Sequence, residues 1–224
     1  MTEDGKNRWS TKWNAFSLAE DTDLSKRLPT YPASSPWPAD DVKFTSMLLD
    51  DVEGHLAIDR GHEYASGFSN GGSFSARLAS ELSDRFAAIA TSGAPTAVKE
   101  IPPGRKPAPL WQVLGSQDPL ISQKAGLPLP FPMDAAAIRE APKLGTILAA
   151  NISAYGLAPE PCKTETDEST TTLAWCAPGQ PDYRFTMVKD MTHVYPNGYD
   201  RTSNPSGVVA VNQFWTFFQQ HKLP

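Results

Sequence analysis

The feature that most constrains this chain is residues 63–71, Glu-Tyr-Ala-Ser-Gly-Phe-Ser-Asn-Gly, where a buried-strand pattern stops abruptly at Ser69. A helical pattern follows at once, with Phe74, Leu78 and Leu82 at i, i+4 and i+8. Gly67-Phe68-Ser69-Asn70-Gly71 matches G-x-S-x-G, in which a serine on a sharp strand-to-helix turn exposes its hydroxyl at the end of a sheet. Both glycines are expected to relieve crowding around the strained backbone. The pentapeptide alone recurs by chance, so the strand before it and the helix after it carry the reading.

The surrounding pattern has the cadence of an α/β fold. Residues 86–91 and 109–115 read as further strands, and 183–189 as the last one. A helix is expected from Asp40, whose carboxylate can accept from the first free amides, to Gly54, with Val42, Leu48, Leu49 and Val52 on its apolar side. Residues 120–133, broken by prolines, read as a loop, and 134–155 as a helical region interrupted near Pro142 and closed by Gly156. The final helix is expected at Asn204-Pro205, with Val208, Val211, Trp215 and Phe218 facing the core. These elements predict an α/β-hydrolase fold: a mostly parallel central sheet with helices on both faces.

At 224 residues the chain can bury one substantial core, which predicts a single domain. Within it, residues 1–39, with Trp9, Trp13, Trp37 and four prolines, read as irregular, and 40–224 as the catalytic core. The net charge of −5 and the scattered Lys and Arg argue against a nucleic-acid partner. The sequence has no apolar run of membrane-spanning length, and its first twenty residues lack the apolar stretch of a secretory signal. Neither membrane insertion nor self-directed export is expected of the chain as given. The paired acids Asp40-Asp41 and Asp50-Asp51 have no His or Cys beside them and fit helix ends, so no metal is expected, and no other cofactor. Oligomeric state is not encoded in any pattern of the sequence.

A serine hydroxyl is a weak nucleophile at neutral pH and needs a general base, itself oriented by a carboxylate. On this fold the chain order is serine, acid, histidine. Of the histidines at 55, 62, 193 and 221, only His193 follows the last strand and precedes the last helix. Asp118, just past the strand at 109–115, suits the acid, with Asp134 and Asp190 as weaker candidates: the first resembles a helix cap and the second lies too near His193. The backbone N–H of Asn70, at the start of the helix, is the expected first oxyanion donor. A second donor normally comes from a loop after an earlier strand, and no such strand is recognisable before Asp40.

Cys162 and Cys176 have thirteen residues between them and fit no zinc motif. They can form a disulfide in an oxidising compartment or remain as two thiols.

Further short stretches join these: Asp40-Asp41-Val42, Ile58-Asp59-Arg60, Tyr64, Gly72, Asp84-Arg85-Phe86-Ala87-Ala88, Leu114-Gly115-Ser116-Gln117-Asp118, Pro196 and Trp215-Thr216-Phe217-Phe218. Together with the serine motif, His193 and the two cysteines, they resemble the esterase family of polyhydroxybutyrate depolymerases and feruloyl esterases, over residues 40–220. The resemblance implies a secreted or periplasmic hydrolase of polyester or aromatic esters, with Ser69, Asp118 and His193 as triad and a Cys162–Cys176 disulfide. It also implies N-terminal strands with a His-Gly turn that are not recognisable here, and an N-terminally truncated sheet is therefore expected. Loss of one oxyanion donor costs on the order of 100-fold to 1000-fold in rate, so activity is expected to be weak or nil. Lys189-Asp190-Met191-Thr192 stands where the family has a glycine-rich stretch, and Tyr195 where it has tryptophan. Two other readings compete: a non-catalytic remnant that binds an aromatic ligand through Trp9, Trp13, Trp37 and the 120–133 loop, and a peptidase or acyltransferase on the same fold.

Overall fold

Near-continuous apolar runs become strands only if both faces of a sheet are covered, and that is how the centre of this protein is built. The computed structural model describes residues 13–15, 40–99 and 101–223. They divide into two compact units, Met1–Ile58 and Asp59–Pro224. In the first, helix α1 (Asp41–His55) is capped by Asp40, whose side chain accepts from the Lys43 amide, and Asn14 N donates to Asp41 Oδ2. Val42 is buried on α1, while Leu48 is half exposed. The helix runs past Gly54 to His55. The irregular structure expected over 1–39 lies outside the described residues, apart from 13–15.

The second unit carries a six-stranded sheet. Strand β1 (Tyr64–Phe68) leads into helix α2 (Asn70–Glu81), followed by β2 (Ala88–Ser92) and β3 (Leu110–Gly115). Helices α3 (Pro119–Ala125), α4 (Ala135–Glu140) and α5 (Leu144–Ala154) precede a hairpin of β4 (Lys163–Thr166) and β5 (Thr170–Trp175). Strand β6 (Tyr183–Val188) and helix α6 (Ala210–Phe218) complete the unit. The spatial order is β1-β2-β3-β6-β5-β4; the first three pairings are parallel and the last two antiparallel.

Alternation along β3 sorts the core onto two faces. Trp111 and Val113 join Ala88, Ala90 and the Phe214 and Phe217 rings of α6. Gln112 points the other way, where its side chain meets the Asn151 amide of α5 and the Tyr183 hydroxyl. Each buried phenylalanine on α6 contributes about 1.5–3 kcal/mol of burial, enough to hold this helix against the sheet.

Three expectations are corrected. The 120–133 segment is not all loop: α3 begins at Pro119, capped by Asp118 and ended by Gly126 in the left-handed region (φ 63°). Aspartate, then proline in the first turn, then glycine past the end is a complete helix grammar, which the later prolines obscured. The last helix starts at Ala210, not at Asn204-Pro205. The Asn204 side-chain amide donates to the Val208 carbonyl, and Val209 pairs with Asn197 in an isolated bridge, so the chain runs through a turn at Pro205-Ser206 and enters the helix only after Val209. The buried side is consequently Ala210, Phe214, Phe217 and Phe218, and Val211 and Trp215 are each 56% exposed. Third, the β4–β5 hairpin occupies a Thr- and Glu-rich segment where no strand was expected; threonine's β-branching suits it to this role. No helix among the described residues is long and apolar enough to cross a membrane.

Candidate active site

Everything at the site hangs on the turn at Ser69. Its backbone is at φ 54°, ψ −123°, a left-handed conformation for a residue that carries a Cβ. Such a backbone costs about 1–3 kcal/mol and persists only when the surroundings fix it. Here the Ser69 amide donates to the Ser92 carbonyl of β2 (2.9 Å), and its own carbonyl accepts from the Ser73 amide in the first turn of α2 (3.0 Å). A methyl at Gly67 would collide with the Gly71 carbonyl, whereas one at Gly71 meets nothing within 4 Å. Crowding is therefore confined to the first motif glycine. The second close approach falls on Gly72, where a methyl would lie 3.1 Å from the Ser92 carbonyl and 3.2 Å from that of Gly67. Asn70 is the first residue of α2, directly after the serine.

The loop after β6 brings His193 to this turn. Its Nε2 lies 2.9 Å from Ser69 Oγ and its Nδ1 2.8 Å from Asp118 Oδ2. A carboxylate only accepts, so Nδ1 donates to Asp118, which leaves Nε2 to accept from the serine hydroxyl. Asp118 is fully buried and divides its two oxygens between two tasks. Oδ1 accepts from the Leu120 and Ile121 amides at the start of α3, both at 3.0 Å, and Oδ2 faces the imidazole. The helix cap therefore fixes the plane of the carboxylate that orients the histidine.

Rings close in on the imidazole. Phe68, the residue between the motif's first glycine and its serine, lies 4.9 Å from His193 between centroids and 6.3 Å, edge-on, from Tyr195. Burial pushes the Tyr195 hydroxyl above its ordinary pKa. Gly93, after β2, leaves room for the Phe68 ring, and a side chain there would meet it. Sequence reasoning passed over Phe68 and Gly93; the strand's period of two signals only that Phe68 points away from Gly67.

The remaining candidates are engaged elsewhere. Asp134 caps α4, accepting from the Ala136 and Ala137 amides, and Asp190 is exposed. The His55 ring contacts the Asp51 carbonyl within α1, His62 pairs with Asp59 at 2.7 Å, and His221 packs edge-on against Phe217. Cys162 and Cys176 form a disulfide across the open end of the β4–β5 hairpin. The tryptophans at 9 and 37 lie outside the described residues.

The mixed sheet, the strained serine turn at the end of β1 and the order serine, aspartate, histidine define an α/β-hydrolase fold. No family model matches the chain. It is similar to the protein named "Putative esterase NocK" from Nocardia uniformis subsp. tsuyamanensis, with 31% identity over 151 residues that make up 66% of this chain and 38% of the relative. It is also similar to feruloyl esterase B of Piromyces equi, with 36% identity over 94 residues, 40% of this chain and 17% of the relative. The chain thus spans well under half the length of either.

Proposed function

We propose that the protein is a serine hydrolase of carboxylic esters, working through an acyl-enzyme. The observation that carries this reading is the continuous hydrogen-bonded line from Ser69 Oγ through His193 to Asp118 Oδ2. In it, Ser69 Oγ attacks the ester carbonyl carbon while His193 Nε2 takes the hydroxyl proton. The proton then passes to the departing alkoxide, the C–O bond breaks, and the acyl group stays on Ser69. A water, deprotonated by the same nitrogen, attacks the acyl-enzyme and releases the acid. Asp118 holds Nδ1 protonated throughout and stabilises the imidazolium. The Asn70 amide, at the positive end of α2, serves as one donor to the oxyanion.

The names of both relatives support ester hydrolysis, and one supports a feruloyl or similar aromatic ester as substrate. Polyesters such as polyhydroxybutyrate are the second substrate class. The disulfide supports an oxidising compartment, extracellular or periplasmic.

Ser69→Ala tests the reading on a short p-nitrophenyl ester. Turnover is expected to fall on the order of 10⁶-fold, with the circular dichroism spectrum unchanged. Undiminished hydrolysis would exclude the acyl-enzyme. Rates on matched ester and amide substrates decide between esterase and peptidase, because the fold and these three side chains do not choose the leaving group.

A further inference from the structure

The hydrogen bond between His193 and Asp118 joins two loops, one after β6 and one after β3, and neither loop is set by the other's sequence. Three consecutive residues at the end of β3 tie them together. Gly115 lacks the side chain that would strike the Met191 carbonyl. Ser116, 1% exposed, accepts through Oγ from the Asp190 amide at 2.8 Å. The Gln117 amide donates to the Met191 carbonyl at 2.9 Å. Ser116 is also bound through its backbone on both sides, its amide to the Val188 carbonyl and its carbonyl to the Phe131 amide.

We propose that Ser116 is a positioning residue for the site, holding the histidine loop in register with the aspartate loop; the inference rests on the esterase reading above. The physical case lies in the backbone of Asp190. This residue sits at φ 57°, unfavourable for a side chain bearing a Cβ, and no glycine relieves it. The Ser116 hydroxyl is the group that receives its amide there, three residues before His193, while Asp118 follows Ser116 by two. Without that acceptor, Asp190 relaxes toward an ordinary backbone, and His193 shifts relative to both Asp118 and Ser69. Ser116 is buried out of a substrate's reach, so the effect falls on proton transfer and not on binding.

The test is Ser116→Ala, read in three ways. With p-nitrophenyl acetate, kcat is expected to fall about tenfold, as displacements below 1 Å do at such sites, with KM within about twofold. The downfield imidazole Nδ1 proton in the NMR spectrum is expected to broaden or move. Adding Asp190→Gly, which accepts the positive φ without help, is expected to recover most of both losses. If Ser116→Ala alone does not fold, Ser116→Cys, whose thiol is only a weak acceptor, is expected to show the same losses and overturns the inference if it matches the parent, whereas Ser116→Thr, which keeps the hydroxyl, is expected to match it. A Ser116→Ala protein with the parent's kcat and imidazole line overturns the inference, as does a loss confined to KM. If the parent protein neither turns over the ester nor reacts at Ser69 with a fluorophosphonate, the esterase reading is what fails. The imidazole line still reports on the tie in that case.

Discussion

The parallel and antiparallel sides of the sheet are built on different physical terms. Strands β2 and β3 are buried along their whole length, and their registers are over-determined by helices on both faces. The hairpin is the opposite: β4 is exposed throughout, and β5 alternates, hiding Thr171, Leu173 and Trp175 while its other residues are only partly covered. Its turn is held by Asp167, which accepts from the Ser169 and Thr170 amides, and its ends by the disulfide. Ser69, Asp118 and His193 all issue from the carboxyl ends of β1, β3 and β6, and none from the hairpin. Groups that must meet within hydrogen-bond distance are carried by strands that cannot slip.

The sharpest way to break this contrast is Asp118→Asn. An asparagine oxygen can still accept from the Leu120 and Ile121 amides, so α3 keeps its cap, but the group facing His193 no longer enforces the required tautomer. We expect kcat to fall on the order of 10⁴-fold with little change in melting temperature. A large loss of stability with intact turnover would mean that Asp118 serves α3 alone.

Next in size is the disulfide. Cys162→Ala with Cys176→Ala removes a cross-link over a sequence separation of 14. The expected loss is about 3 kcal/mol, seen as a lower denaturant midpoint. Fluorophosphonate labelling of Ser69 under native conditions should proceed at the parent's rate. Slower labelling would show that the hairpin is coupled to the chemistry after all.

Smaller still, and confined to the parallel side, is a comparison of two glycines. Gly67→Ala drives a methyl into the Gly71 carbonyl and should cost about 1–3 kcal/mol, the range for overpacking. Gly71→Ala, in the first turn of α2 with open space before it, should stabilise by about 0.5–1 kcal/mol. Urea melts of the two variants decide it; equal losses would contradict the crowding seen at Gly67 alone.

What could be read from residues alone followed the same division. β1, β2, β3 and β6 are legible as apolar runs bounded by turn residues, and Ser69, Asp118 and His193 each stand at the end of one of them. The hairpin was missed because β4 carries no apolar residue and the alternation of β5 shows only at Leu173 and Trp175, too short a period-two signal to stand out among threonines. Helix α3 was missed because Pro128, Pro130 and Pro132 dominate the segment, although Asp118-Pro119 and Gly126 mark its two ends. The register of α6 was misjudged because Asn204-Pro205 looks like a helix start, whereas Asn204 spends its amide on the Val208 carbonyl. No local pattern could reveal the Ser116 tie, which joins residues 74 positions apart through a side chain and a backbone amide.

The smallest expected effect separates the two regions by pH. His221 lies under the parallel side, its carbonyl accepting from the Tyr64 hydroxyl of β1 and its ring packed on Phe217. Burial lowers its pKa from the usual 6.5; Arg184 adds to the effect, and Asp182, 3.9 Å away, opposes it. A lowered histidine pKa means that the unfolded chain binds the proton more readily. Stability therefore falls as pH drops below about 6.5 and levels off once the folded ring has also titrated. Asp167, in the hairpin turn, has its pKa lowered by the Ser169 and Thr170 amides and behaves differently. Its contribution is intact above the usual 3.8 and is lost only as pH falls through the lower folded value. Melting curves at pH 7, 5.5 and 4.5 should therefore show a decline that His221→Gln diminishes and Asp167→Asn leaves in place. A decline over that range untouched by His221→Gln would assign the acid sensitivity to some other group, and the parallel side would lose its claim to it.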